Sequence, residues 1–137
     1  MGSFGLTRVN SDGSPRDHHG IDWLAPLGTV VYAAHHSRVV LCGEQGGGRG
    51  YGQRLKLLTL PGEGEQILTL YAHLCVQWVT MGEEVREGHA LGLIGRSGYN
   101  NTKAIPTHIH HEVRIGGQGK DSAVDPVWYY HEEGATA

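Results

Sequence analysis

Short apolar runs separated by glycine limit this chain to a narrow choice of folds. Val, Tyr and Leu are concentrated in runs at residues 29–34, 38–43, 55–60 and 66–74, which predict strands rather than helices. Pro61–Glu65 separates the last two runs and predicts a β-hairpin. The 22 glycines suit turns, bulges and close backbone approach. We therefore predict a single all-β domain of mostly antiparallel sheets, with a short C-terminal helical turn at most.

Length and composition limit the class of protein. The 137 residues are enough for one domain with its own core. Charged residues make up 18% and the formal net charge is -3, so no basic excess favours nucleic acid as a partner. No apolar run approaches the roughly 20 residues of a membrane helix, and the start lacks the leader of a signal peptide. We predict an irregular N-terminal arm at 1–17, the domain at 18–130 and a tail at 131–137, in a monomeric protein.

The two cysteines, Cys42 and Cys75, are too few for a disulfide scaffold and lack the CxxC spacing of many metal sites. Both lie in predicted strands, where we expect buried or half-buried side chains. Two free thiols are favoured over a single bridge.

Two histidines share one face of a predicted strand at residues 108–115. Because side chains alternate across a strand with a period of two, His108 and His110 lie side by side, with Glu112 next along the same face. His111 falls on the opposite face, where we expect it to pack. Two adjacent imidazoles can bind a metal together, or one can bind it while the other transfers a proton beside it.

A second histidine motif, His18-His19-Gly20-Ile21-Asp22, carries a carboxylate. If the segment is extended, His18, Gly20 and Asp22 share a face, whereas His19 points away. Gly20 has no side chain, so a metal could lie close to the backbone there. With the strand pair, the segment supplies nitrogen and carboxylate ligands of the kind that zinc prefers. The alternative is that these histidines are ordinary polar side chains on half-exposed strands.

A further histidine, His73, ends the apolar run 66–74. Alternation places the leucines of this run on one face and Tyr71 and His73 on the other. We predict that the leucine face is the core, which leaves His73 on an open face like that of His108 and His110. A lone histidine in a strand is weak evidence for a functional role.

Three motifs in this order, His18-x-Gly20-x-Asp22, Tyr71-Ala72-His73-Leu74 and His108-x-His110, resemble the lysostaphin-like (LytM-type) zinc endopeptidases of bacterial cell walls. The sequence outside the motifs is similar as well, at residues 25–33, 82–88, 92–95 and Asp125-Pro126. The resemblance covers roughly residues 4–130, and the motifs together, with this spacing, make a specific signal.

The resemblance implies an antiparallel β-sheet fold with a narrow groove over one zinc ion. We expect the arm at 1–17 to contribute to this groove. The resemblance further implies that His18, Asp22 and His110 are the zinc ligands, that His108 is the general base and that His73 assists it. A zinc-activated water would then hydrolyse peptide crosslinks or stem peptides of peptidoglycan. The site of action would be the cell wall, reached from the periplasm, from outside the cell or by phage delivery. Glu112 is placed to orient a histidine.

The sequence departs from the family pattern at a few positions. Thr107 and His111 stand where the family usually has Pro and Phe, and the preceding loop, 96–107, is a few residues longer. That loop walls the groove in the family, so we expect differences in substrate choice. Two alternatives remain open: a non-catalytic relative that holds a partner in the groove, and a structural zinc domain. The complete ligand set disfavours the first and the extra His108 disfavours the second.

Overall fold

The computed structural model is built almost entirely of antiparallel strands. It describes the backbone of residues 4–9, 14–45, 51–97 and 107–136, and the side chains of 4–5, 14, 18–44, 51–97 and 107–131. The strands are β1 (Gly5–Val9), β2 (Pro15–His18), β3 (Ile21–Leu24), β4 (Val30–Tyr32), β5 (Ser37–Gln45), β6 (Gly52–Thr59), β7 (Ile67–Gln77), β8 (Glu84–Val85), β9 (Ala90–Ile94), β10 (His108–Ile115) and β11 (Ala123–Val124). One helix, α1 (Pro126–Thr136), follows a short 3-10 turn at Lys120–Ser122.

One large sheet forms the body of the domain. Its main order is β11-β10-β7-β6-β5-β8, with β3 paired to β10 and with β9 paired to both β4 and β7. Every one of these pairings is antiparallel. The predicted hairpin joins β6 to β7, and its turn uses Gly62 and Gly64 at positive φ, where glycine meets no steric penalty. The predicted all-β, antiparallel class is therefore confirmed.

Both faces of the central strand β7 are buried. Leu68, Leu70 and Ala72 form the smaller apolar cluster, which Tyr51 and Leu58 flank. The larger core lies on the other face and combines residues of seven strands with two residues of the connections, Ala33 and Val79. The strand residues are Val31, Val39, Leu55, Leu57, Tyr71, Leu74, Val85, Leu91, Ile94 and Ile109. The leucine face is therefore buried, as predicted, but it forms the smaller cluster, because β7 is covered on both faces and the larger core lies on the face of Tyr71.

The N-terminal arm is more regular than predicted. Strands β1 and β2 pair antiparallel as a separate two-stranded sheet, in a register that places Gly5 opposite His18. The expected boundary at residues 17/18 consequently falls inside β2. Pairing of this kind relies on backbone hydrogen bonds and needs no apolar alternation, so the polar composition of the segment concealed it. Whether the arm contributes to a groove stays a prediction.

The C-terminal helix is longer than the single turn that we expected. Pro126 occupies its first position, where a missing N–H costs nothing, and the Asp125 carboxylate accepts a hydrogen bond from Val127 N at 2.9 Å. The helix spans 11 residues in all and includes most of the segment predicted as a tail. Within the described ranges, no helix is both long and apolar enough to cross a membrane.

Both cysteines are free thiols, in agreement with the prediction. Cys42 is partly buried, its Sγ lies 3.0 Å from Gln77 Oε1, and burial raises the pKa of its thiol. Cys75 is exposed, whereas we expected it to be buried or half-buried. Neither belongs to the metal-ligating cluster of the described residues, so that cluster involves no sulfur.

Candidate metal centre

Three of the predicted site residues converge at the junction of β2, β3 and β10. Asp22 lies directly opposite His110 in the β3–β10 pairing, and His18 ends β2 just before the connection to β3. His110 Nδ1 lies 2.9 Å from Asp22 Oδ1 and 3.1 Å from His18 Nε2, and the last two atoms are 3.5 Å apart. All three residues are buried. They are the only group of three or more potential ligands that the described part of the chain brings together.

The spacing of these three atoms fits a small tetrahedral cation. Ligand atoms about 2.0–2.1 Å from zinc in tetrahedral geometry lie about 3.3 Å from one another, close to the three separations here. Two imidazoles and one carboxylate also suit zinc chemically, and three protein ligands leave a fourth position open to water or substrate. The donor set and its spacing therefore fit one zinc ion, with His18 Nε2, Asp22 Oδ1 and His110 Nδ1 as the ligand atoms.

The charges around His110 favour a cation at this point. Burial alone would raise the pKa of Asp22, but hydrogen bonds from His110 and His18 lower it well below its ordinary range. Burial opposes the charged form of His110, yet the carboxylates of Asp22 and Glu112 raise the pKa of His110 above its ordinary value. A metal ion would take the place of the Nδ1 proton between His110 and Asp22 and would satisfy the same carboxylate.

Gly20 lets the segment of His18 and Asp22 approach β10 closely. A Cβ atom at residue 20 would lie 2.3 Å from the carbonyl oxygen of His111, 2.7 Å from Glu112 Cγ and 3.0 Å from His110 Cε1. We expected that glycine would leave room for a metal. The structure shows that the space is taken by the strand that carries His110, so Gly20 is required for the ligands to meet.

The two predicted catalytic histidines, His73 and His108, are neighbours beside the metal cluster. Their ring centroids are 4.8 Å apart, and the ring of His73 lies 6.2 Å from that of His110. Both side chains are buried. The structure therefore brings all five predicted site residues into one cluster, while their individual roles stay predictions.

His73 reaches this face by a route that alternation does not predict. Tyr71 pairs with His111, so regular alternation would turn His73 toward the core face, away from His110. However, His73 has φ = 65°, the one positive φ of a non-glycine residue in the described backbone, and the β6–β7 register shifts beside it. Such a conformation costs about 1–3 kcal/mol and turns the ring toward His108. His73 therefore lies on the face of His108 and His110, as predicted, but this face is buried rather than open, and the alternation argument for it was wrong.

The hydrogen bond of His73 determines which of its nitrogens can act. Its Nδ1 donates to the carbonyl oxygen of Ser97 at 2.8 Å, and the Ser97 hydroxyl donates to Leu74 O at 2.6 Å. Burial lowers the pKa of His73 to about 4, although the bond to Ser97 opposes this shift. His73 is therefore neutral at pH 7 and its Nε2 is a hydrogen-bond acceptor.

Glu112 holds the other side of His110, as its position on the strand predicted. His110 Nε2 donates to Glu112 Oε2 at 2.7 Å, so Nδ1 is the nitrogen left for a metal. Burial would raise the pKa of Glu112, but hydrogen bonds from His110 and Tyr51 lower it to about 2. Arg114 completes the network through a bond of 2.6 Å from Nη2 to Glu112 Oε1.

Sequence reasoning missed Tyr51, Ser97 and Arg114, which contact the site from outside the motifs. Arg114 lies two residues beyond Glu112 on the same face of β10, so strand periodicity could have identified it. Tyr51 and Ser97 lie far from the motifs in sequence, and no local pattern marks them.

His111 lies on the opposite face of β10, in the packing role that we predicted. Its Nδ1 donates to Leu70 O at 2.9 Å, and its Nε2 accepts from the Tyr130 hydroxyl at 2.6 Å. The ring stacks between Trp23 and Tyr130, with centroid distances of 5.8 and 5.7 Å. An apolar cavity of about 240 Å³, lined in part by Trp23, Tyr32 and His111, lies on this face and not over the metal ligands.

Acid should destabilise the fold through His111. Burial lowers the pKa of His111 to about 3, whereas the unfolded chain has the ordinary value near 6.5. This contribution to stability is therefore complete above pH 6.5 and is lost as the pH falls toward 3. Between pH 7 and pH 5 the loss from this residue should be about 2 kcal/mol. Urea unfolding of wild type and His111→Phe across this range should show a flatter pH dependence in the variant.

A matched control for this experiment is His131→Phe, which replaces an exposed histidine of α1. It should keep the wild-type pH dependence. An equally steep pH dependence in His111→Phe would contradict the prediction.

The predicted groove over the metal is not defined by the described residues. Residues 98–106, which make up most of the longer loop expected to form its wall, lie outside them, as do residues 46–50 of the glycine-rich segment after β5. The groove and its effect on substrate choice stay predictions.

Comparison with known proteins gives a consistent result. The family model of Peptidase family M23 matches residues 16–126. The DD-carboxypeptidase/endopeptidase Mpg of Neisseria meningitidis is 36% identical over 112 residues, which cover 82% of this chain and 22% of that protein. The uncharacterized lipoprotein YgeR of Escherichia coli is 33% identical over 116 residues, covering 85% of this chain and 40% of the relative. The chain thus spans well under half the length of these curated relatives.

A solved structure shows the same fold. The catalytic domain of the antimicrobial peptidase lysostaphin from Staphylococcus simulans superposes with a TM-score of 0.76 at 24% sequence identity. The superposition covers 96% of this chain and 90% of that domain. The chain therefore has the same fold as that domain.

Proposed function

Because the chain belongs to peptidase family M23, we propose that it is a zinc-dependent endopeptidase that hydrolyses peptide bonds in the crosslinks or stem peptides of peptidoglycan. The observation that carries the proposal is the cluster itself. Three ligand atoms lie at zinc spacing, and a pair of histidines, His73 and His108, lies beside them. The names of Mpg and lysostaphin, an endopeptidase and an antimicrobial peptidase, support the reaction class.

The metal would be held by His18, Asp22 and His110. When bound there, zinc would supply Lewis-acid chemistry, polarising the scissile carbonyl and making water more acidic. The protein's contribution would be to supply three ligands in a buried setting that strengthens electrostatic interactions.

Proton transfer would fall to the pair of histidines. We assign His108 as the general base that takes a proton from the attacking water, a role that an imidazole can fill near neutral pH. His73 would assist by accepting a hydrogen bond from that water, since its Nδ1–H is committed to Ser97 and its Nε2 is an acceptor. The same water could then be oriented by one imidazole while the other removes its proton.

The place of action would be the bacterial cell wall, and the active form a monomer. No charge pattern of the sequence favours nucleic acid, and the proposed substrate is a peptide of the wall. Which bond is cleaved, a glycyl bridge or a crosslink that contains D-alanine, depends on the walls of the groove.

Digestion of purified peptidoglycans of several crosslink types tests this proposal. The protein should bind one zinc ion per chain, measured by elemental analysis, and should release new amine termini identified by mass spectrometry. A chelator should abolish the release and added zinc should restore it. A protein that binds no zinc, or that binds zinc and releases no termini from any wall type, would overturn the proposal. If it instead stimulated another wall hydrolase, it would be a non-catalytic regulator.

A further inference from the structure

Tyr51 contacts the site in three ways, although it belongs to none of the motifs. Its hydroxyl donates to Glu112 Oε2 at 2.6 Å. Its ring stacks on His110, with ring centroids 5.3 Å apart and an angle of 28° between the planes. Its backbone carbonyl accepts a hydrogen bond from His73 N at 2.9 Å. One residue therefore contacts a predicted metal ligand, the carboxylate that holds this ligand, and the backbone of a predicted catalytic histidine.

With the hydrogen bond from Tyr51, every acceptor position of the Glu112 carboxylate is occupied. Oε2 accepts from His110 Nε2 at 2.7 Å and from Tyr51, while Oε1 accepts from Arg114 Nε at 3.0 Å and Nη2 at 2.6 Å. Arg114 is itself held by a bond from Nη1 to Gln118 O at 2.6 Å. A carboxylate has about four acceptor positions, so Glu112 has little freedom to rotate. Its direction determines which edge of His110 turns toward Asp22.

The contact with His73 supports the unusual backbone at that residue. His73 is the non-glycine residue with positive φ in the described backbone, and two backbone hydrogen bonds hold it. Its N–H donates to Tyr51 O, and its carbonyl oxygen accepts from Gly95 N at 3.0 Å. Because β6 and β7 shift register here, the bond to Tyr51 replaces a regular ladder bond. The backbone of Tyr51 thus helps to keep the ring of His73 beside His108.

We propose that Tyr51 is a positioning residue of the metal centre, which acts through Glu112 to keep Nδ1 of His110 directed at the metal. The proposal rests on the proposed function in so far as the metal is zinc. The hydrogen-bond partner of a metal-ligating histidine commonly changes metal affinity by about 10–100-fold, because it fixes the tautomer and the ring orientation, and Tyr51 holds that partner, Glu112, in place.

A purely structural role for Tyr51 makes a different prediction. Its ring also packs against the small cluster of Leu68, Leu70 and Ala72, so its loss could lower stability alone. In that case, removal of the hydroxyl would leave zinc affinity and the tautomer of His110 unchanged. The two roles are therefore separable by a variant that keeps the ring.

Tyr51→Phe is that variant, because it removes the hydroxyl and keeps both the ring and the backbone carbonyl. We expect its zinc affinity to fall about tenfold in competition with a chromophoric chelator. In the metal-free protein, at a pH high enough to leave His110 with a single ring proton, long-range ¹H–¹⁵N spectra should show a smaller population of the tautomer protonated at Nε2. Glu112→Gln should produce a similar loss, and the double variant should lose less than the sum, since the two residues act through one chain of hydrogen bonds.

Tyr32→Phe is a matched control, because Tyr32 is exposed on β4 and lines the cavity of the opposite face. It should leave zinc affinity and the spectra of His110 unchanged. Wild-type zinc affinity together with an unchanged His110 spectrum in Tyr51→Phe would overturn the proposal, and circular dichroism would show that the variant is folded.

These measurements need no substrate, so they separate this inference from the proposed function. Weaker zinc binding in Tyr51→Phe, in a protein that cleaves no peptidoglycan, would support the positioning role and refute the peptidase. Efficient cleavage of peptidoglycan, together with unaltered zinc binding in Tyr51→Phe, would support the peptidase and refute the positioning role.

Discussion

His108→Ala should retain one zinc ion per chain while kcat/KM on peptidoglycan falls by at least about a hundredfold, the lower limit of what a general base usually contributes. The reason is the geometry of the cluster. His108 pairs with Leu24, not with a ligand, and its ring lies against His73 rather than within the group of His18, Asp22 and His110. Its loss removes a proton acceptor without removing a donor to the metal.

His110→Ala is the informative comparison, because it removes the central ligand. His110 Nδ1 lies within 3.1 Å of both other ligand atoms, so we expect this variant to lose zinc and hydrolysis together. Elemental analysis and initial rates on a dye-labelled wall preparation would measure both properties on the same samples.

The burial of His108 requires a second variant. Its side chain is fully buried, so alanine leaves a cavity that could lower stability. His108→Gln fills more of that space and cannot act as a general base near neutral pH, so it should show the same loss of turnover. Turnover near that of wild type in either zinc-loaded variant would show that His108 is not the base.

Gly20→Ala should lower both stability and zinc affinity, although it adds only a methyl group. That carbon would lie 2.3 Å from the carbonyl oxygen of His111 and 2.7 Å from Glu112 Cγ, far inside normal contact distances. Strand β10 must then move away from the segment of His18 and Asp22. We expect a loss of about 1–3 kcal/mol in the free energy of unfolding, as for other overpacked sites. Zinc affinity should fall at least about tenfold, because His110 and Glu112 move with the strand.

Gly64→Ala is a suitable control for this variant. Gly64 lies in the β6–β7 turn with φ = 89°, and a Cβ atom there would meet nothing within 4 Å. Its substitution should cost about 1–2 kcal/mol of backbone energy and leave zinc affinity unchanged. Chemical denaturation and chelator competition on both variants would separate loss of fold from loss of the site. Wild-type zinc affinity in Gly20→Ala would contradict the close-approach argument.

Much of the site could be predicted because strands impose a simple rule. The period of two places His108, His110 and Glu112 on one face and His111 on the other, and the pairing with β3 then brings Asp22 opposite His110. The resemblance of the motifs to a known family identified the same residues independently. The imidazoles of β10 lie within a few residues of each other, so no long-range information was needed to group them. The pairing of β3 with β10 joins segments that are far apart in sequence, and alternation alone does not predict it.

The supporting residues could not be predicted, for a reason that applies to sheets in general. Tyr51 and Ser97 approach the site through register shifts and connections between strands, which depend on the packing of the whole sheet. Likewise, β1 and β2 form through backbone bonds to each other, and their composition carries no apolar signal. Helix α1 has a clear start at Asp125 and Pro126, but its length depends on docking against β10.

The local sequence alone determined the all-β class, the β6–β7 hairpin and the grouping of the imidazoles on β10, because turn chemistry and side-chain alternation act over a few residues. Only the tertiary structure decided that the main core lies on the Tyr71 face of β7. It also decided that the left-handed backbone conformation of His73 turns its ring away from that face and toward His108. It also decided that Glu112 is held by Tyr51 and Arg114. The energy that maintains such a strained residue and such a buried carboxylate comes from contacts between distant segments, which no local pattern records.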